Sequence, residues 1–149
     1  FESGHIKAKG QYQHGVKEGP WQWYDSTGVI VVSGSFSNGK KNGLYIEYYN
    51  DGSIKKIINY VDDYRSGKAS TFQENGILSS FLSYRHDLLN DTSYFFYPTG
   101  LLSMLSIARN DTILKYVQYD AKGHKYHEFV RLFGATSISS TGASLPAQP

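Results

Sequence analysis

The chain has 149 residues, 15 Lys and Arg against 13 Asp and Glu, and a formal charge of +2. That length holds one domain or a repeat array with a sizeable core, and so small a net charge leaves no electrostatic footprint for nucleic acid. Charged residues make up 19% of the chain, beside 13 Tyr and 15 Gly, which excludes a disordered polyampholyte and favours aromatic-bearing strands joined by glycine turns.

Read from the N-terminus, one residue returns in phase. Gly4, Gly28, Gly52, Gly76, Gly100 and Gly123 are separated by 24, 24, 24, 24 and 23 residues. Two positions after the first five stand Ile6, Ile30, Ile54, Leu78 and Leu102. Eight positions after come Tyr12, Phe36, Tyr60 and Tyr84, with Ala108 breaking the series. Four positions before each glycine from the second onward stand Tyr24, Tyr48, Phe72, Phe96 and Tyr119. Turn residues fill another column, Gly15, Gly39, Asp63, Asp87 and Asp111, and a further one reads Gly19, Gly43, Gly67, Asp91 and Lys115. A fixed period of this size is the signature of a repeat architecture.

Each unit is expected to hold two short strands and two turns. One turn is tight and closes on the phased glycine, as in Asp25-Ser-Thr-Gly28; the other is longer and polar, as in Ser37-Asn-Gly-Lys-Lys-Asn-Gly43. Between turns the pattern alternates with period two. Ile30, Val32, Gly34 and Phe36 are expected on one face and Val29, Val31, Ser33 and Ser35 on the other; Leu44, Ile46 and Tyr48 share a side. About eleven strands result, a continuous antiparallel meander whose units support one another because a lone hairpin cannot bury its apolar face. Leu101, Leu102, Met104, Leu105 and Ile107 make the later strands apolar on both sides, which predicts that sheet curling covers both faces. The segment 124–133 reads as a last strand rather than a capping helix. The array thus spans 1–133 as five to six units, and the uncharged run 134–149 reads as a flexible tail or linker. The first unit starts at Gly4 with no strand before it and Phe1 alone, so an unpaired edge is expected there, open to upstream sequence or to another chain.

These columns resemble the MORN repeat, in its bacterial variant. The segments that carry the likeness are Gly19-Pro-Trp-Gln-Trp-Tyr-Asp-Ser-Thr-Gly28 with Ile30, Phe36, Gly39 and Gly43, and Gly43-Leu-Tyr-Ile-Glu-Tyr-Tyr-Asn-Asp-Gly52 with Ile54 and Tyr60. The likeness runs from about Gly4 to about Tyr126 and weakens after three units, where Asp91, Lys115 and Ala108 depart from the pattern. It implies an all-β, single-layer antiparallel meander of hairpin repeats. It also implies a non-catalytic scaffold that holds a protein partner in a bacterial setting, in the cell envelope or as an antitoxin-like partner.

The residues themselves offer little chemistry. With no Cys there are no thiolate metal sites or thiol nucleophiles, and no run approaches the ~18–20 apolar residues of a membrane helix. His124 and His127 have HxxH spacing, but on a strand residues three apart face opposite ways, so no metal site is expected. Asp51, Asp62 and Asp63 read as solvated turn residues supporting their local backbone rather than as acid–base carboxylates. No nucleophile elbow and no phosphate loop is present, so neither catalytic residues nor cofactors are expected. Asn90-Asp-Thr92 and Asn110-Asp-Thr112 fit the glycosylation sequon and read as the same turn of two successive units.

An aromatic ladder, Trp21, Trp23, Tyr45, Tyr49, Tyr94, Phe95 and Tyr97, precedes the phased glycines. Trp21 is followed one and two units on by Tyr45 and Ala69, and Trp23 by Glu47 and Thr71. A glutamate in that row points to a solvent-exposed double-Trp face, with Trp21, Trp23, Tyr45 and Tyr49 as the binding patch. Lys7, Lys9, Lys17, Lys40, Lys41, Lys55 and Lys56 crowd the first half. A protein partner is the first expectation; glycans or anionic lipids held by the aromatic stripe and the basic half are the alternative, and no nucleic acid is expected.

Overall fold

The computed structural model describes residues 7–132, so Phe1, Gly4 and the expected tail lie outside the described residues. Thirteen strands follow in order: β1 (Ala8–Gln13), β2 (Val16–Tyr24), β3 (Ile30–Ser37), β4 (Lys40–Lys41), β5 (Gly43–Tyr48), β6 (Ile54–Val61), β7 (Tyr64–Phe72), β8 (Leu78–Arg85), β9 (Leu88–Leu89), β10 (Asp91–Phe96), β11 (Leu102–Arg109), β12 (Thr112–Tyr119) and β13 (Lys125–Val130). All belong to one open sheet in which eleven strands neighbour each other in chain order, with the short β4 beside β3 and β9 beside β8. Every pairing is antiparallel. The chain is an all-β single-layer meander, and 125–130 is its last described strand, paired with β12.

Both kinds of turn are short. At the phased glycine, Gly28 donates its N–H to the Asp25 carbonyl and Asp25 donates to Val29, and the same pair of bonds recurs at Gly52, Gly76, Gly100 and Gly123. These glycines have φ between 81° and 90°, the left-handed residue that completes a three-residue hairpin loop. The opposite turn is not the long polar loop expected. It holds only two residues, His14-Gly15, Asn38-Gly39, Asp62-Asp63, His86-Asp87 and Asn110-Asp111, all at positive φ, between pairs such as Ser37↔Lys40 and Val61↔Tyr64. That is the two-residue hairpin whose twist matches the strands it joins. The polar residues that follow, as in 40–43, are strand and bulge: Gly19, Gly43, Gly67 and Asp91 take positive φ there. Asn90 lies just before such a bulge while Asn110 opens a turn, so the two sequons occupy different places in their units.

A second bulge falls before each phased turn. Register passes from Trp23↔Val32 to Tyr24↔Ile30 and leaves Val31 unpaired, and the same slip recurs at Tyr48, Phe72, Phe96 and Tyr119. Strict alternation therefore fails at this point, and Ile30 joins Tyr24 on the reverse of the sheet rather than Val32, Gly34 and Phe36.

The centre of each hairpin closed by a two-residue turn carries a cross-strand pair of unequal size. Continuing the strand registers by one step sets Gly10 opposite Trp21, Gly34 opposite Tyr45 and Leu82 opposite Ser93; Ile58 faces Ala69 and Ser106 faces Tyr116 directly. A Cβ on Gly10 would lie 2.1 Å from Trp21 Cδ2, and one on Gly34 would lie 2.5 Å from Tyr45 Cδ2. Large and small exchange strands along the array, but each pair fills one row. On the side of this row the buried apolar side chains are Trp21, Phe36, Ile58, Ala69 and Ala108, with Ser93 and Ser106 buried among them, and on the reverse Val117 and Ser83 are buried. Among the described residues no second layer covers the later strands: Leu101 is exposed, and Leu102, Met104, Leu105 and Ile107 are half-buried.

The two kinds of glycine give different expected costs. Gly52 has φ 84° and open space where a Cβ would stand, so Gly52→Val should cost about 1 kcal/mol or more from backbone strain alone. Gly34→Ala should cost about 1–3 kcal/mol through overpacking, and Gly34→Ile with Tyr45→Ala, which copies the Ile58–Ala69 pair, should recover most of it. A double-mutant cycle from urea midpoints reads the coupling; additive losses would contradict the pairing.

Candidate interaction face

Register assigns Lys17, Trp21, Trp23, Val32, Phe36, Tyr45, Ile58, Tyr60 and Tyr84 to one side of the sheet, here the ring face. Its first three units are built alike. Lys17 Nζ lies 4.6 Å from the Trp21 ring centre, 4.9 Å from Phe36 and 5.2 Å from Trp23. One unit on, Lys41 Nζ lies 4.5 Å from Tyr45 and 4.9 Å from Tyr60; two units on, the Arg65 guanidinium lies 4.3 Å from Tyr84. Rings continue beneath, with Trp23 6.0 Å from Tyr45 and Tyr45 5.7 Å from Tyr60. Each cation over a ring contributes ~0.5–1 kcal/mol at such partly exposed sites, and the aliphatic stems shield the rings. Burial pushes the Tyr45 and Tyr60 hydroxyls up, which keeps both protonated. In the last two units the cation position holds Leu89 and Ile113, and the pattern stops.

The four patch residues are not one exposed surface. Trp21 is only 5% exposed: it lies flat over Gly10, meets Tyr12 edge-on at 5.0 Å and donates its indole N–H to the Gln11 carbonyl at 3.2 Å. Its replacement by Tyr45 and Ala69 in later units reflects the exchange of large and small within the pair, not exposure. Trp23 and Tyr45 are half-buried on the ring face. Tyr49 belongs to the turn edge, where its hydroxyl donates to the Phe72 carbonyl at 2.7 Å; Tyr97 does the same to Tyr119 at 2.8 Å. Tyr94 and Phe95 point to opposite faces, so the ladder splits. Sequence reasoning missed Lys17, Lys41 and Arg65 as a set; their 24-residue spacing was the available signal.

Asp63 does not act locally. Its N–H goes to the Lys41 carbonyl and its carboxylate accepts the Lys41 N–H at 2.8 Å, and Asp87 repeats this with Arg65 and Asp111 with Leu89. This clasp joins each turn to the unit before it; at Gly39 only the N–H half survives, donated to Lys17. Asp51 behaves as expected, accepting from Ser53 N–H and Oγ within its own turn. His124 pairs with Asp120 at 3.3 Å while His127 Nε2 meets the Tyr116 hydroxyl at 3.0 Å. The two imidazoles do not converge, and no group of three or more metal-ligating side chains forms among the described residues.

Two segments, residues 17–38 and 41–62, match the MORN repeat variant family. These two segments are MORN-variant repeats, and they open on Lys17 and Lys41. Such repeats generally serve as interaction and scaffold modules. No curated protein matches the sequence. Among solved structures the chain is similar to one titled "Crystal Structure of TarM", at 13% identity and a TM-score of 0.43 over 72% of this chain. It spans 20% of that protein's length.

Two outcomes follow from this face. Trp21→Ala removes a buried ring and should cost about 3–5 kcal/mol, read by urea denaturation; a cost under 1 kcal/mol would mean the indole is not core. Separately, the Arg65 side chain at 2.9 Å holds the Asp87 carboxyl below its ordinary value. Its stabilising contribution is complete above the unfolded value near ~4 and is lost as pH falls through the lower folded one. Asp87→Asn should therefore lose less stability than the parent between about pH 5 and pH 2, measured as the change in urea midpoint.

Proposed function

We propose that the chain is a non-catalytic scaffold whose ring face holds a protein partner with an acidic surface. The observation that carries this reading is the recurrence of Lys17, Lys41 and Arg65 over buried and half-buried rings. Two strand spacings separate successive cations, about 10 Å, so the face offers Lys17 and Lys41 on an aromatic bed, with Arg65 beside them paired to Asp87. Aromatic and Arg side chains concentrate interface energy, and a single-layer sheet leaves this row open to a partner. The cations cover the ring faces on which a sugar would stack, which favours carboxylates of a protein over a glycan here. The resemblance of the repeats favours a bacterial setting, in the cell envelope or as an antitoxin-like partner, with no cofactor and no nucleic acid.

The test is recovery of the tagged full chain from its native host. One stoichiometric protein is expected, and Lys17→Glu with Lys41→Glu should release it while the thermal melt stays within a few degrees of the parent. Retention by that folded variant would overturn the reading, as would flotation of the parent with phosphatidylglycerol vesicles in place of a protein partner.

A further inference from the structure

On the opposite side of the same units lies a groove of about 710 Å³, within the ~300–1,000 Å³ of small-ligand sites. It crosses β1, β2, β3 and β5. Its floor is the backbone of Gly10, Trp21 and Gly34, whose Cβ directions lead to the ring face. Its walls are Lys9, Gln11, Gln22, Ser33, Ser35 and Leu44. Three interstrand steps give it a length of about 14 Å.

The groove has a definite chemistry. It holds two amides, two hydroxyls and one ammonium, and no carboxylate. Gln22 already accepts the Tyr24 hydroxyl at 2.9 Å through Oε1, which leaves its NH₂ to donate, and Ser33 shares a hydrogen with Tyr48 at 3.0 Å. Two tyrosines therefore orient groove donors in advance. Leu44, 55% exposed, and Pro20 add apolar surface beside them. The groove runs across the strands, so a peptide lying in it could not pair as an added strand, and the ladder has already used the backbone groups beneath. What remains is recognition by side-chain amides and hydroxyls along a polar path with the Lys9 ammonium at one end and an apolar margin.

We infer that this groove binds a short segment of a neutral oligosaccharide. Hydroxyls that both donate and accept suit Gln11, Gln22, Ser33 and Ser35 in either sense, and sugar C–H faces suit Leu44 and Pro20. The site is separate from the ring face, so loss of one function leaves the other intact.

The test titrates the full chain with cellohexaose, chitohexaose and maltohexaose, following amide NMR shifts. At least one is expected to bind and to move the resonances of residues 9–11, 20–22 and 33–35. Gln11→Ala with Gln22→Ala should weaken that binding by about tenfold or more, and Ser35→Leu, which fills the groove, should do so if the double variant does not fold. Lys17→Glu with Lys41→Glu on the ring face should leave it unchanged. No response to any of the three sugars, or binding that survives the folded groove variants, would overturn the assignment.

Discussion

The structure depends on one contact repeated at the centre of every hairpin closed by a two-residue turn, a large side chain lying against a small one across the strand pair. A single-layer sheet has no second layer to bury its residues, so close packing must be reached within the sheet itself. Trp21 over Gly10 and Tyr45 over Gly34 achieve this by removing the Cβ beneath the ring; Ile58 with Ala69 and Leu82 with Ser93 do so with the sizes exchanged. Cross-strand pairs are each worth only ~0.2–1 kcal/mol, so stability is the sum of many similar rows, as expected for a quasi-one-dimensional array.

That row also decides where charge can stand. Wide rings in the first three units create a bed on which Lys17, Lys41 and Arg65 lie, and the rings in turn are shielded from water. In the last two units the cation position becomes Leu89 and Ile113. The two halves of the sheet are thus chemically different although their backbones repeat. The same contacts shape the reverse: with ring bulk drawn to one side, the backbone of Gly10 and Gly34 is left as the floor of the groove.

Joining the units is a task for backbone groups rather than rings. Asp63, Asp87 and Asp111 each exchange two hydrogen bonds with the preceding unit, and Tyr49 and Tyr97 reach forward to the next one. These bonds run in both directions along the array. They fix the angle between hairpins that the turns alone would leave free.

The 24-residue spacing by itself determined the meander, the position of the phased turns and the strand at 125–130, because turn glycines and alternating residues are local signals that tertiary packing here only repeats. Membership in a repeat family was legible for the same reason in the segments 17–38 and 41–62. The exposure of Trp21 was not legible. Whether a ring in a single sheet is core or surface depends on the residue opposite it, and Gly10 is eleven positions away and joined to Trp21 only by register. The bulges that place Ile30 on the reverse face, and the reach of Asp63 to Lys41 rather than to its own turn, were likewise decided by strand pairing. Periodicity assigned residues to columns; only the folded sheet set those columns against one another, and the candidate face and groove both arise from that juxtaposition.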